Sequence, residues 1–327
     1  MTSHRCQCLC VVATFVVFLS VLVVVSRGQP ADLSSREVGV AHHDGRPVLR
    51  HEVAPILTED TLTEQEQEFE YLIEGEKKKG TRRVLTLDIG GGAKMEFVRI
   101  PKGTFLMGAP DGEPEALAGE KPQRRVEITR DYYIGKYEVT QAQYYAVSDM
   151  DPSKFKGGRL PVERVSWDDA TAFCWTLSGR THWKVELPTE AQWEYACRAG
   201  TTTSFHFGSQ LNGGLANCDG EIPYGTKTPG AYKETTVEVG SYPANPWGLH
   251  DMHGNVWEWC RDFYYPYDNF ARLKDPFQSM TSSEDSCIQR GGSWYGYARN
   301  CRAAYRLNCR PGSRVSSNGF RVCIRLD

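Results

Sequence analysis

Thiols and carboxylates set against tryptophans are the groups of this chain that could do chemistry. Cys287, Cys301, Cys309 and Cys323 lie around the string GGSWYGYARNCRAAYR and an SSNGFRV ending. Thiols so clustered could ligate a soft metal, act as nucleophiles or form disulfides. Trp294, Tyr295, Tyr297, Tyr305 and Arg306 in the same stretch could line a pocket, aromatics giving area and arginine a directed charged donor. Upstream, HDMHGNVWEWC sets Glu258 between Trp257 and Trp259, where a carboxylate must pair, face water or hold a cation. His250 and His253 beside it offer zinc ligands without a full set. Asn217, Asp219 and Glu221 supply oxygens suited to calcium, although no EF-hand spacing is present and polar turn capping is the plainer use. Neither a helical nor a strand period runs through Cys287–Cys323, so turns, side-chain hydrogen bonds and disulfides must hold it.

Location bears on those thiols. Arg5 precedes the apolar run Leu9–Val25, which reads as a signal peptide or an uncleaved membrane anchor over residues 1–27. Either sends the chain to a periplasmic, extracellular or secretory compartment. Cleavage would remove Cys6, Cys8 and Cys10 and leave Cys174, Cys197, Cys218, Cys260, Cys287, Cys301, Cys309 and Cys323. An even set in an exported chain predicts up to four disulfides. The formal charge of −3 gives no basic footprint for nucleic acid.

The elements that must position these groups begin after residues 28–83, read as a linker. Its histidines, His42, His43 and His51, are solvent-exposed residues of a polar segment. Thr63 and Glu66 form a capping-box pattern that predicts a short helix carrying Phe69, Leu72 and Ile73. The main domain is expected over 84–327. Alternation predicts strands at Met95–Ile100, Thr104–Met107, Arg125–Thr129 and Tyr132–Val139. Thr140/Gln143, Ser166/Asp169 and Thr189/Gln192 predict three capped helices. The second presents Ala170, Phe173, Cys174 and Leu177 on one face. Glu190 and Glu194 open the third, where they suit the helix dipole. Residues 201–250 read as long loop.

The ordered strings FVRIPKGTFLMG, YYIGKYEVTQAQY, LPVERVSWDDATAFC, LPTEAQWEYACRAGT, WGLHDMHGNVWEWC, RGGSW and SNGFRV cover residues 95–326. Together they resemble the formylglycine-generating-enzyme family of sulfatase-modifying-factor domains. The resemblance implies an irregular α/β (α+β), C-type-lectin-like fold with low regular secondary-structure content. It also implies calcium: Asn255, Val256 and Glu258 match one calcium loop, and Asn217 with the Cys218 carbonyl matches the start of another, whose second half falls near 230–233. Catalytic members oxidise a cysteine of a sulfatase peptide to formylglycine, with oxygen and a copper ion held by two thiolates five residues apart after the Gly-Gly-Ser motif. Counting from Ser293 puts Gly296 at the first thiolate and Cys301 at the second. The family's structural cysteines further imply Cys197–Cys301 and Cys174–Cys323 disulfides. The leading expectation is therefore a noncatalytic member that binds a peptide, protein or small ligand. The alternative is a copper-dependent formylglycine-generating oxidase, or another divergent oxidoreductase, with Cys301 catalytic.

Overall fold

A computed structural model describes residues 42–43, 46–47, 63–267, 273–282 and 285–326. The N-terminal apolar run lies outside them. Among the described residues no helix is long and apolar enough to cross a membrane. Two units separate near residue 52. In the first, β1 (His42–His43) pairs with β2 (Arg46–Pro47) in a short antiparallel ladder.

The second unit opens with a correction. Residues expected as a helix form β3 (Thr63–Ile73), paired over its whole length with β4 (Glu76–Gly90). The turn between them uses Glu74 and Gly75 at φ of 50° and 81°, the geometry that suits the twist of a two-residue hairpin. Phe69 and Tyr71 then share one face, their rings 5.7 Å apart, with Gly80 beneath Phe69 and Arg82 stacked 4.6 Å from its centroid. A ladder of backbone bonds outweighs a local Thr-x-x-Glu pattern, which stabilises a helix end only if a helix forms.

From β4 the chain builds one antiparallel sheet in the order β3-β4-β5-β8-β14-β9, with β5 at Ala93–Ile100, β8 at Tyr132–Gly135, β9 at Val185–Glu186 and β14 at Cys323–Arg325. β6 (Gly103–Met107) and β7 (Arg124–Ile128) form a separate hairpin. α1 (Gln141–Ser148), α2 (Trp167–Thr181) and α3 (Glu190–Arg198) start where the capping boxes place them. Thr140, Ser166 and Thr189 each accept the N3 amide, and Gln143, Asp169 and Gln192 each return a bond to the cap amide at 2.9 Å. Ala170, Phe173, Cys174 and Leu177 of α2 are buried against Leu85, Leu87 and Phe97 of the large sheet in one core. A second core joins α3 to Val98, Ile100 and Ile134.

A four-stranded sheet in the order β12-β11-β10-β13 carries the C-terminal part of the chain: β10 at Trp257–Phe263, β11 at Cys287–Arg290, β12 at Leu307–Cys309 and β13 at Asn318–Gly319. Only the β10–β13 pairing is parallel. No helix or strand lies between α3 and β10, as expected for 201–250. The architecture is thus an irregular mixed α/β fold with few helices.

Candidate functional site

Two turns build the site. Gly254 (φ 87°) and Asn255 (φ 62°) precede β10, and Gly291 (φ 95°) and Gly292 (φ 79°) follow β11. They are bonded to each other: Gly254 N donates to Gly291 O at 2.7 Å, and Trp294 N donates to Asn255 O at 2.8 Å. Glycine is required at Gly292, because a Cβ there would collide with Cys301 Sγ. Past Trp294, Gly296 N donates to Ser293 O and Gly296 O accepts from Asp219 N, both at 2.9 Å. A 3₁₀ turn, Ala298–Cys301, follows.

Four buried arginines clamp this region to the body of the fold. Arg306 meets Glu190 through Nε and Nη2 at 2.6 and 2.8 Å. Arg302 meets Glu120 at 2.7 and 2.8 Å. Arg290 bridges Glu190, at 3.1 Å, and Glu194. Arg321 holds both oxygens of Glu258, at 2.6 and 2.7 Å, and Trp193 Nε1 adds a bond to Glu258 Oε2 at 2.7 Å. Two-pronged guanidinium–carboxylate pairing fixes geometry as well as charge. Glu190 is drawn down in pKa by Arg306 and Arg290 against the opposing effect of its burial, so it stays ionised within the pair.

The sequence-expected pocket residues therefore separate. Arg306 is buried in its ion pair. Trp294 is buried edge-on to Phe155 at 5.3 Å, and its indole donates to Ser316 O at 2.9 Å. Tyr305 is half-buried, 5.8 Å from the Trp257 ring. Tyr295 and Tyr297 are the outward pair, 67% and 40% exposed. The binding-face candidates thus share one loop, but only these two tyrosines present large surfaces.

The disulfide expectation is overturned. All eight described cysteines are free thiols, so neither Cys197–Cys301 nor Cys174–Cys323 is bridged, and Cys218, Cys260, Cys287 and Cys309 are unpaired as well. Cys197 points instead to Met252 O and His253 Nε2, each at 3.7 Å, in the core around α3. Cys301 lies in a third core with Phe205, Phe207 and Cys218, and its thiol points to Tyr297 O at 3.9 Å. The side chains of Cys197 and Cys301 thus serve different cores. Burial raises the pKa of Cys174, Cys197, Cys260, Cys287 and Cys323, and the Cys218 contact together with burial raises that of Cys301. Such thiols are neutral and unreactive at physiological pH.

The metal candidates are placed as follows. Among the described residues no group of three or more His, Cys, Asp or Glu side chains is arranged to hold a metal. Asn217 and Asn255 come together, Nδ2 to Oδ1 at 3.2 Å, and Asn255 N donates to Asn217 O at 2.8 Å. The loop at Ala231 does reach the first loop, its carbonyl accepting from Gly220 N at 3.2 Å, but it brings no carboxylate. Glu258 has both oxygens occupied by Arg321 and Trp193, so the set Asn255, Val256 and Glu258 does not fit a calcium ion. Asn255 turns instead to Glu138, donating from Nδ2 at 2.7 Å, while Val256 N donates to the other Glu138 oxygen at 3.1 Å. Glu138 and Asp251 escape a reading for motifs. A glutamate ending an apolar strand in YYIGKYEVT was the one available signal.

An irregular mixed α/β fold whose arginine-clamped Gly-Gly-Ser-Trp loop packs on a Gly-Asn turn defines the class of domain. Residues 91–326 match the model of the sulfatase-modifying factor enzyme 1-like domain, and the chain belongs to that family. It is 28% identical to formylglycine-generating enzyme of Mus musculus, over 70% of this chain and 75% of the relative. It is 26% identical to a Bos taurus protein named inactive Cα-formylglycine-generating enzyme 2, over 72% and 90% of the two chains. Among solved structures, Treponema denticola variable protein 1 superposes with a TM-score of 0.63 at 26% identity, covering 74% of this chain and 98% of that one.

Proposed function

We propose that the chain is a noncatalytic member of the family, exported or membrane-anchored by its N-terminal segment, that binds a protein or peptide through the loop carrying Tyr295 and Tyr297. The observation that carries this is Gly296. It stands five residues before Cys301, where a paired thiolate would be needed, and its backbone is tied on both sides to Ser293 and Asp219. Cys301 is itself fully buried, in the core that also holds Cys218. Copper chemistry asks for two soft ligands, and this position supplies one neutral thiol. The kinship with a bovine relative named as inactive accords with this reading, as does the lectin-like topology that the family resemblance implies. Exposed tyrosines give rigid, amphipathic contact area suited to protein surfaces.

Incubating the chain with a Cys-x-Pro-x-Arg peptide, copper and oxygen tests the noncatalytic half. Mass spectrometry should return the peptide without conversion of cysteine to aldehyde. Conversion abolished by Cys301→Ser would establish the oxidase reading in its place. For the binding half, Tyr295→Ala with Tyr297→Ala should remove captured peptides selected from a display library while leaving Tm unchanged. Undiminished capture would move the site elsewhere.

A further inference from the structure

We propose that the open edge of β3 takes up an extended basic segment of another protein as an added antiparallel strand. The guest carries lysine or arginine at every second position, opposite Glu64, Glu66, Glu68 and Glu70. β3 is the end strand of the large sheet, and among the described residues it pairs with β4 alone over residues 63–70. A second segment meets it only further on, where Leu72 N donates to Ala244 O at 3.3 Å. That bond fixes which backbone groups face outward. Hydrogen bonding in an antiparallel pair alternates along the strand, so residues 64, 66, 68 and 70 turn their N–H and C=O away from β4, as Leu72 does. The open stretch spans about 25 Å, enough for a guest of ordinary strand length. β3 and β4 both precede residue 91, where the match to the family domain begins, so the edge lies outside the matched domain.

Charge says which guest fits. The outward positions all carry glutamate, the four side chains share one face, and all four are exposed. β4 neutralises them only in part. Glu66 lies opposite Arg83, at 4.0 Å, and Glu64 reaches Arg99 of β5 at 3.9 Å. Glu68 lies opposite Thr81 and Glu70 opposite Lys79, and neither is in an ion pair among the described residues. A second copy of β3 is a poor guest, because two-fold antiparallel pairing sets glutamate against glutamate, and like charges directly opposite are destabilising. Lysine or arginine at those positions instead gains an opposite-charge pair at each step. Charged side chains on an edge deter unselective pairing, and a row of one sign deters every guest but one of the other sign. On the opposite face the intervening guest side chains meet Gln65, Gln67 and the Phe69 ring, which lies over Gly80. β-Branched residues suit such a half-covered surface. Backbone bonds then supply affinity and the alternate side chains supply selectivity. This inference does not rest on the tyrosine loop, and its failure would leave the test of that loop standing.

The purified full-length chain is titrated by fluorescence anisotropy, at low ionic strength, against the labelled peptide Thr-Lys-Val-Lys-Thr-Lys-Val-Lys. A second peptide has the same composition with its lysines consecutive. Saturable binding of the alternating peptide, weakened by added salt, is expected, with binding of the second peptide at least about tenfold weaker. Glu66→Lys combined with Glu68→Lys should weaken the alternating peptide by about tenfold or more. Glu68→Pro should abolish binding where Glu68→Ala only weakens it, since proline removes an outward N–H that β4 does not use. Should Glu68→Pro disturb the hairpin, the peptide carries the same test. N-methylation of its lysine amides, which face β3 in an antiparallel guest, should abolish binding, and N-methylation of its valine and threonine amides should spare it. The inference falls if the alternating peptide does not bind. It falls also if the consecutive-lysine peptide binds equally well, which would mark diffuse attraction, or if binding survives methylation of the lysine amides.

Discussion

Glu258→Gln tests the arginine clamp most directly. The substitution keeps the size of the side chain and an acceptor for Trp193 Nε1, which lies 2.7 Å from Oε2. It removes the charge opposite Arg321, which is fully buried. Breaking a buried pair from one side leaves the other charge uncompensated and costs about 3–5 kcal/mol. At about 2–4 °C per kcal/mol for a domain of this size, Tm should fall by roughly 6–20 °C. Differential scanning calorimetry in EDTA reads the loss without any contribution from bound metal. The double variant Glu258→Gln/Arg321→Met should recover part of it, because the orphaned charge goes with its partner. A loss under about 1 kcal/mol would refute the reasoning, placing Arg321 within reach of water or of another carboxylate in solution.

Two further outcomes follow from the same buried chemistry. With six thiols raised in pKa and buried, the native chain at pH 8 should react slowly with a thiol reagent, and peptide mapping should find half-buried Cys309 labelled first among the eight described cysteines; rapid labelling of Cys301 would contradict its placement. Asp262 is pushed up to about 7 by burial and by Glu190 beside it. A carboxyl raised above its unfolded value of about 3.9 contributes stability that is fully present below that value and is lost as pH rises through about 7. Urea denaturation of the parent and of Asp262→Asn from pH 4 to 8 should therefore show the parent losing stability relative to the variant across that window. The offset from the hydrogen bonds to Glu190 N and Gln278 N is constant, and a flat difference would refute the assignment.

Local chemistry was legible in the sequence wherever a few adjacent residues decide the outcome. Each of Thr140, Ser166 and Thr189 caps its helix through a partner three residues on, so no distant part of the chain was needed to read it. The hairpin of β3 and β4 was misread because Thr63 and Glu66 offer the same local pattern, while the deciding contacts run to residues 76–86 across the turn. The two glycine turns of the site were legible singly, but the bond between Gly254 and Gly291 joins segments far apart in the chain. An even number of cysteines says nothing of which core each thiol faces, and so the count suggested bridges among thiols that serve different cores, Cys197 in one and Cys301 in another. Arg306 looked like a pocket residue because its partner, Glu190, sits on another element and carries no mark of the pairing.

The position of β14 has a consequence for the order of assembly. Residues 323–325 lie between β8 and β9, pairing with both. Until they arrive, β8 has a bare edge and β9 no neighbour. Arg302, Arg306 and Arg321 likewise reach back to Glu120, Glu190 and Glu258 from late in the chain. Contacts so distant in sequence are slow to form, since loop closure precedes any gain from pairing. A nascent chain therefore cannot complete its large sheet while the last strand is still being made. During that interval the exposed edge of β8 is open to other strands. Completion of the large sheet in that sense waits for residues 323–325, whichever strands have paired before them.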